Sequence, residues 1–302
     1  MRNSCGKTGS YADADALARS LGVKICENVP AEKLSTFRGG GTAARVYAPV
    51  SAESAAAFLR GLPPEPGEPF ILGGGSDTVI ADGTVMRPVV YTGLMRVAEM
   101  RGGRLYADCG VGISSVIAAA RREGLGGAEF LAGVPASVGG ALRMNAGAFG
   151  EEIGGLTDEI LCLNRDTGEM YSVKASDAGF GYRRGVQDMV VGVYFALPRM
   201  SAEESAARAR GFIAQRRLKQ PSFPSCGSVF RAADRPAGYY IERAGLKGAR
   251  HGGAEISRVH ANFIVNNGGA SAGDYLALAE LAERAVEDTF GIKLEREFVL
   301  LD

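Results

Sequence analysis

The chain has 302 residues, with 34 Lys plus Arg balanced by 34 Asp plus Glu, and 46% of its residues are hydrophobic. Zero net charge argues against a nucleic-acid binder, which carries a basic excess. No apolar run reaches the roughly 18 residues of a membrane span. The length suits two or three compact domains with real cores.

Residues 1–20 hold no apolar stretch of the secretory type. Cys5, Cys26, Cys109, Cys162 and Cys226 are scattered, odd in number and form no C-x-x-C, as in a reducing compartment. A cytoplasmic protein is expected. With only His251 and His260 as histidines, no metal site is expected.

The spacing predicts a short helix over 13–21 and a strand over 45–49. Ser51 reads as the N-cap of a helix to Arg60, followed by a Pro- and Gly-rich surface connection over 61–67. Residues 70–72, 78–80, 88–91 and 104–108 read as strands. A helix over 114–123 stops at Gly124. Residues 160–164 and 169–173 flank Arg165-Asp166-Thr167-Gly168 as a hairpin, and 189–197 reads as a buried strand. Ser201 with Glu204 forms a capping box for a helix to about Arg217, which must end before Pro221. After an apolar run at 263–265, a helix from Ser271 to Phe290 ends at Gly291, and 297–301 closes the chain as a strand. There is no internal repeat and no steady βαβ alternation, so the class is α+β. The expected domains are 1–85, 86–200 and 201–302.

Forty-three glycines stand out, and several cluster. Gly73-Gly74-Gly75-Ser76-Asp77 lies between two apolar runs. Such a loop can turn its amides onto an anion, or it can be a plain tight turn. Asp77 repels a phosphate but suits a turn cap or a ribose hydroxyl. A longer stretch runs from Gly133-Val134-Pro135-Ala136-Ser137-Val138-Gly139-Gly140 to Asn145-Ala146-Gly147-Ala148. Its small residues offer backbone to a large planar or pyrophosphate ligand. Gly110-Val111-Gly112 after a strand imitates a dinucleotide fingerprint, but Ser115 replaces its third glycine and no acidic partner follows. In Pro224-Ser225-Cys226-Gly227-Ser228-Val229-Phe230, Ser228 is held between Gly227 and Val229. It lacks a G-x-S-x-G elbow, so a hydrolase nucleophile is not the natural reading. Taken alone, Ser228 reads as a strand-edge serine, Arg183 as a solvated turn charge and Glu297 as part of an exposed charge run.

In this order, these motifs resemble the UDP-N-acetylenolpyruvoylglucosamine reductase family over nearly the whole chain. Leu34-Ser35-Thr36-Phe37-Arg38-Gly39-Gly40-Gly41, Gly181-Tyr182-Arg183, Gly252-Gly253-Ala254-Glu255-Ile256-Ser257, His260-Ala261-Asn262-Phe263 and Leu294-Glu295-Arg296-Glu297 belong to the same series. The resemblance implies a three-domain flavoprotein. It has a two-subdomain FAD module of the vanillyl-alcohol-oxidase type and a C-terminal substrate domain whose last strand returns Glu297 to the active site. It implies FAD, held non-covalently by Gly73, Gly74, Gly75, Ser76, Asp77, Gly133, Val134, Pro135, Ser137, Val138, Gly139, Asn145, Gly147 and Ala148. NADPH is the implied donor and UDP-GlcNAc-enolpyruvate the acceptor, in bacterial cell-wall (peptidoglycan) precursor synthesis. Arg183, Ser228 and Glu297 take the catalytic roles, and Lys219 and Tyr182 contact substrate. The chain departs from the family where Asp77 and Gly39 replace the usual asparagine and valine. The short stretch between Arg183 and Ser228 resembles the subgroup without an extra tyrosine loop. An oxidase on the same scaffold would consume oxygen. A nucleotide-sugar-binding protein would bind the sugar without flavin.

Overall fold

The computed structural model describes residues 11–302 apart from 66, 166 and 233. Cys5, and parts of the connection over 61–67 and of the 165–168 turn, lie outside the described residues. Four hydrophobic clusters organise the described residues into three units, two of the clusters lying on opposite faces of the first sheet, and the candidate residues collect where the units meet.

The first unit is built on β1 (Lys24–Pro30), β2 (Gly40–Ala48), β3 (Phe70–Leu72), β4 (Thr78–Val85) and β5 (Val89–Tyr91). β2 runs parallel to β4 and β5, and β5 parallel to β3, while β1 pairs antiparallel with β2. Helices α1 (Ala12–Ser20) and α2 (Ala52–Gly61) cover one face. Alternation along β5 sends Val90 into their core with Tyr47 and Phe58, and Val89 to the other face with Val46 and Leu72. Ser51 caps α2 in a reciprocal box with Ser54, as the sequence predicts for the cap. This sheet continues through Tyr91, beyond residue 85.

The second unit is an antiparallel sheet of β6 (Ala98–Arg101), β7 (Arg104–Asp108), β10 (Thr157–Leu163), β11 (Met170–Lys174) and β12 (Met189–Phe195), in the order β11-β10-β12-β7-β6. A small hairpin of β8 (Gly147–Ala148) and β9 (Glu151–Glu152) precedes β10. Helices α3 (Ile113–Arg122) and α4 (Val138–Arg143) pack on this sheet. Every partner of β7 is antiparallel, so the strand before α3 is not half of a dinucleotide-binding βαβ unit. Helix α5 (Ala202–Lys219) follows residue 200, yet Ala209, Phe212 and Ile213 belong to this second core.

The third unit combines α6 (Ala237–Arg243), a sheet of β13 (Arg250–His251), β14 (Ala254–Ile256) and β15 (Ile264–Asn266), and α7 (Ala272–Phe290). Its core takes in Phe37, Val79 and Phe298 from its neighbours, with Tyr275 stacked edge-on between Phe37 and Phe298. The last strand, β16 (Val299–Leu301), leaves this unit and pairs parallel with β4 of the first.

Helix α7 is anchored twice at its start. Ser271 and Asp274 form a capping box, and the Asp82 carboxylate on β4 accepts 2.8 Å bonds from the amides of Ala272 and Gly273. A carboxylate on these free amides also meets the positive end of the helix dipole. Asp82→Ala is expected to cost about 1 kcal/mol, read as a lower urea midpoint. An unchanged midpoint would show that Ser271 alone satisfies the helix start.

Candidate active site

A trough runs between the first two units and opens under the third. Its inner part, about 370 Å³, is lined by Phe70 through Thr78, Arg87, Cys109, Ser137, Gly139, Arg143, Met189 and Val190. Its outer part, about 750 Å³, is lined by Gly74, Ser76, Asp77, Gly133 through Ala136, Gly147, Ala148, Arg183, Arg216, Ser228 and Glu297. The two parts share Gly74, Ser76, Asp77, Gly140 and Met144. Both volumes fall in the roughly 300–1,000 Å³ range of small-molecule sites.

The glycine loops touch backbone to backbone. A Cβ on Gly74 would stand 3.2 Å from Pro135 O and Ser137 N, and one on Gly73 would stand 2.4 Å from Ser137 Oγ. Ser137 caps α4 and accepts the amide of Gly74 at 3.2 Å. Gly75 is left-handed at φ +63°, with Leu34 O only 1.9 Å from where its Cβ would lie. A glycine strip and a strip of small residues therefore meet at the waist of an elongated trough. An apolar wall of Phe70, Leu72 and Val190 lies at one end, and Arg87, Arg143 and Arg165 are in reach. This cradle fits a dinucleotide such as FAD, with backbone against its pyrophosphate. Cys109 also faces the trough, but burial pushes its thiol up to about 12, so it is a poor nucleophile toward a bound ring.

Not every residue carried from the sequence faces this space. Val138 is fully buried in the second core. Asn145 is 1% exposed and stands behind the wall. Tyr182 is 56% exposed, its hydroxyl accepting from the Ala232 amide at 3.2 Å. Lys219 is exposed at the end of α5, beside Gln220, which does line the cleft. Arg216, three residues earlier, is the cation that reaches in. It donates to Ala132 O at 3.0 Å and Phe130 O at 3.1 Å, and its stem lies where a Cβ on Gly133 would come within 3.2 Å. In the sequence Arg216 is one member of a basic run, and only the helix phase turns it inward.

Arg183, Ser228 and Glu297 come from three regions of the chain and line one cleft. Ser228 sits after Gly227, left-handed at φ +72°. Asn262 clamps the next two residues: its carbonyl accepts Val229 N–H at 2.9 Å, and its side chain exchanges two bonds with the Phe230 backbone. Glu297 N–H donates to Val229 O at 2.8 Å, which fixes Glu297 against the Ser228 segment. Val299 N–H donates to Asp77 O at 2.8 Å, which brings the first glycine loop to the same place. His260 Nδ1 in turn accepts the Asn262 N–H at 3.2 Å.

Arg183 Nε lies 2.5 Å from Glu297 Oε1, but its N–H is not aimed at the oxygen, so this is a close ion contact rather than an aligned hydrogen bond. Burial pushes the Glu297 carboxyl up to about 7, against the opposing pull of Arg183 and with added repulsion from Asp77. Burial likewise raises Asp77 to about 6, again opposed by Arg183. One guanidinium therefore opposes the upward shift of both carboxyls, and each still holds its proton to a higher pH than an ordinary carboxyl does.

The fold is α+β and its trough fits a dinucleotide, and comparison with known proteins identifies the class as a FAD-dependent oxidoreductase. A family model described as FAD binding domain matches residues 43–163. One described as UDP-N-acetylenolpyruvoylglucosamine reductase, C-terminal domain, matches residues 219–301. The UDP-N-acetylenolpyruvoylglucosamine reductase of Geobacter metallireducens is 37% identical over 290 residues, covering 93% of this chain and 95% of that one. The same-named protein of Lactobacillus johnsonii is 37% identical over 290 residues, covering 92% and 95%. The crystal structure of the reductase from Thermus caldophilus superposes with a TM-score of 0.78 at 29% identity, covering 93% of this chain and 99% of that one. The chain belongs to the UDP-N-acetylenolpyruvoylglucosamine reductase family.

The raised carboxyls set a sign for stability against pH. Glu297 in the folded protein holds its proton up to about 7, whereas its ordinary value is 4.5. Its favourable contribution is complete below the ordinary value and is lost as pH rises through about 7; Asp77 acts in the same sense through about 6. From pH 5 to 8, Glu297→Gln is expected to gain on the wild type by on the order of 2 kcal/mol in urea unfolding. A gap that does not change with pH would contradict this burial.

Proposed function

We propose that this chain reduces UDP-N-acetylglucosamine enolpyruvate to UDP-N-acetylmuramate with NADPH, in bacterial peptidoglycan precursor synthesis. The observation that carries the reading is the convergence of Arg183, Ser228 and Glu297 on a cleft continuous with the glycine-lined trough. FAD, bound non-covalently, would take hydride from NADPH and supply it to C3 of the enolpyruvyl group.

Ser228 gives the proton to C2, which completes the lactyl ether. A hydroxyl is a weak acid, but the carbon it protonates is strongly basic, and its fixed place between Gly227 and Val229 removes the cost of orientation. Arg183 supplies positive charge to the substrate carboxylate, where negative charge grows as the enolate forms. Glu297, pushed up to about 7 by burial, keeps a protonated fraction at neutral pH that donates a hydrogen bond to the same charge. Arg216 offers a second cation along the cleft, and in this reading Lys219 and Tyr182 contact parts of the ligand that extend beyond it. Asp77 at the waist takes the place of a neutral contact to the nucleotide.

Ser228→Ala is expected to leave flavin reduction by NADPH nearly intact. Reoxidation by the enolpyruvyl substrate is expected to fall by roughly 10²–10⁴-fold. Stopped-flow absorbance separates the two half-reactions, and equal loss in both would argue against Ser228 as the acid.

A further inference from the structure

Asn145 follows Met144, the C-cap of α4, and is 1% exposed, with a left-handed backbone at φ +43°. Its side chain is committed to three partners. Nδ2 donates to Glu152 Oε2 at 2.6 Å and to Gly181 O at 3.1 Å, and Oδ1 accepts from Gly154 N–H at 3.0 Å. Both donors are used and the amide orientation is fixed. The residue is absent from the lining of either part of the trough.

The partner that matters is Gly181. Gly181 and Arg184 exchange two backbone bonds, at 2.8 and 3.0 Å, and close a tight turn with Tyr182 and Arg183 at its tip. Arg183 is left-handed at φ +52°. A side-chain-bearing residue in that conformation is strained and persists only where its surroundings over-determine it. Two tethers do so, both from the end of α4. Gly185 N–H donates to Arg143 O at 2.8 Å, and a Cβ on Gly185 would stand 1.8 Å from Leu142 O. Asn145 holds the other side of the turn through Gly181 O. The helix that carries the second glycine loop thus also carries the arginine turn.

We propose that Asn145 is a positioning residue for Arg183: it fastens the 181–184 turn to the end of α4, so that the guanidinium meets Glu297 in the cleft. The consequence for catalysis rests on the role proposed above for Arg183; the consequence for geometry does not. A neutral amide suits the post because it must donate to a carbonyl and a carboxylate while accepting an amide.

The test pairs a crystal structure of Asn145→Ala with half-reaction kinetics on the FAD-loaded protein. Expected are an Arg183–Glu297 separation beyond about 4 Å and reoxidation by the enolpyruvyl substrate slowed at least about 30-fold. Flavin reduction is expected to lose at least about 10-fold less than this. The double variant Asn145→Ala with Arg183→Ala should be no slower than Arg183→Ala alone, because one residue acts through the other. Arg183 still in contact with Glu297 in the alanine variant, or losses that multiply, would overturn the proposal. Should the alanine variant not fold, Asn145→Asp keeps the volume and the acceptor for Gly154 but removes both donors. The same displacement of Arg183 is expected, and an unmoved contact overturns the idea. If Arg183→Ala itself leaves reoxidation unchanged, the reading of the reaction fails, while the Arg183–Glu297 distance still decides for or against Asn145.

Discussion

The short segment from Glu295 to Leu301 holds the site together. Arg231 N–H donates to Glu295 O, Glu297 N–H to Val229 O, and Val299 N–H to Asp77 O, at 2.8–2.9 Å. β16 then runs parallel to β4. These backbone bonds fix the third unit to the first with Glu297 between them. Backbone hydrogen bonds set register to within a residue, and a one-residue slip would turn Glu297 to the opposite face. The cleft, the raised carboxyl and the contact with Arg183 all depend on that register.

Strain gathers at the same place. Among the described residues, five non-glycine residues have positive φ; Arg38 and Arg183 line the cleft, Asn145 bonds to the Arg183 turn and Phe149 lies under Arg216. Phe149 is bulky for such a conformation; its ring packs on Phe212 at 4.7 Å, and Arg216 lies over it at 5.3 Å. Such conformations are sustained by packing around them, and they aim side chains where regular structure would not. Here they surround one guanidinium and two carboxyls in a partly enclosed space, where fixed charges act more strongly than in water.

Much of this was legible in the sequence where the signal is local. Ser51, Ser201 and Ser271 mark three helix starts, and the left-handed glycines Gly124 and Gly291 mark two ends. β7 lies where its apolar run places it. Other elements left no local trace. β1 carries Lys24, Glu27, Asn28 and Pro30 and is half exposed, and its partner β2 alone makes it a strand. Helix α4 has six residues, two of them glycine, so propensity argues against it, and packing under β12 decides. The glycine loops were readable as ligand-facing backbone, whereas Arg183, Ser228 and Glu297 were separable from ordinary surface charge only through their ordered motifs. Arg216 and the tethering role of Asn145 depend on long-range contacts that no local spacing encodes.

The proposed reaction requires a bound flavin that takes electrons from NADPH and passes them to an enolpyruvyl nucleotide sugar. The direct measurement is the visible spectrum of the purified, FAD-loaded protein under anaerobic conditions, first with NADPH and then with UDP-GlcNAc-enolpyruvate. Yellow protein that bleaches with NADPH and regains its colour on addition of the enolpyruvyl sugar is the expected result. Protein that takes up no FAD, or that regains its colour only when oxygen is admitted, would contradict it.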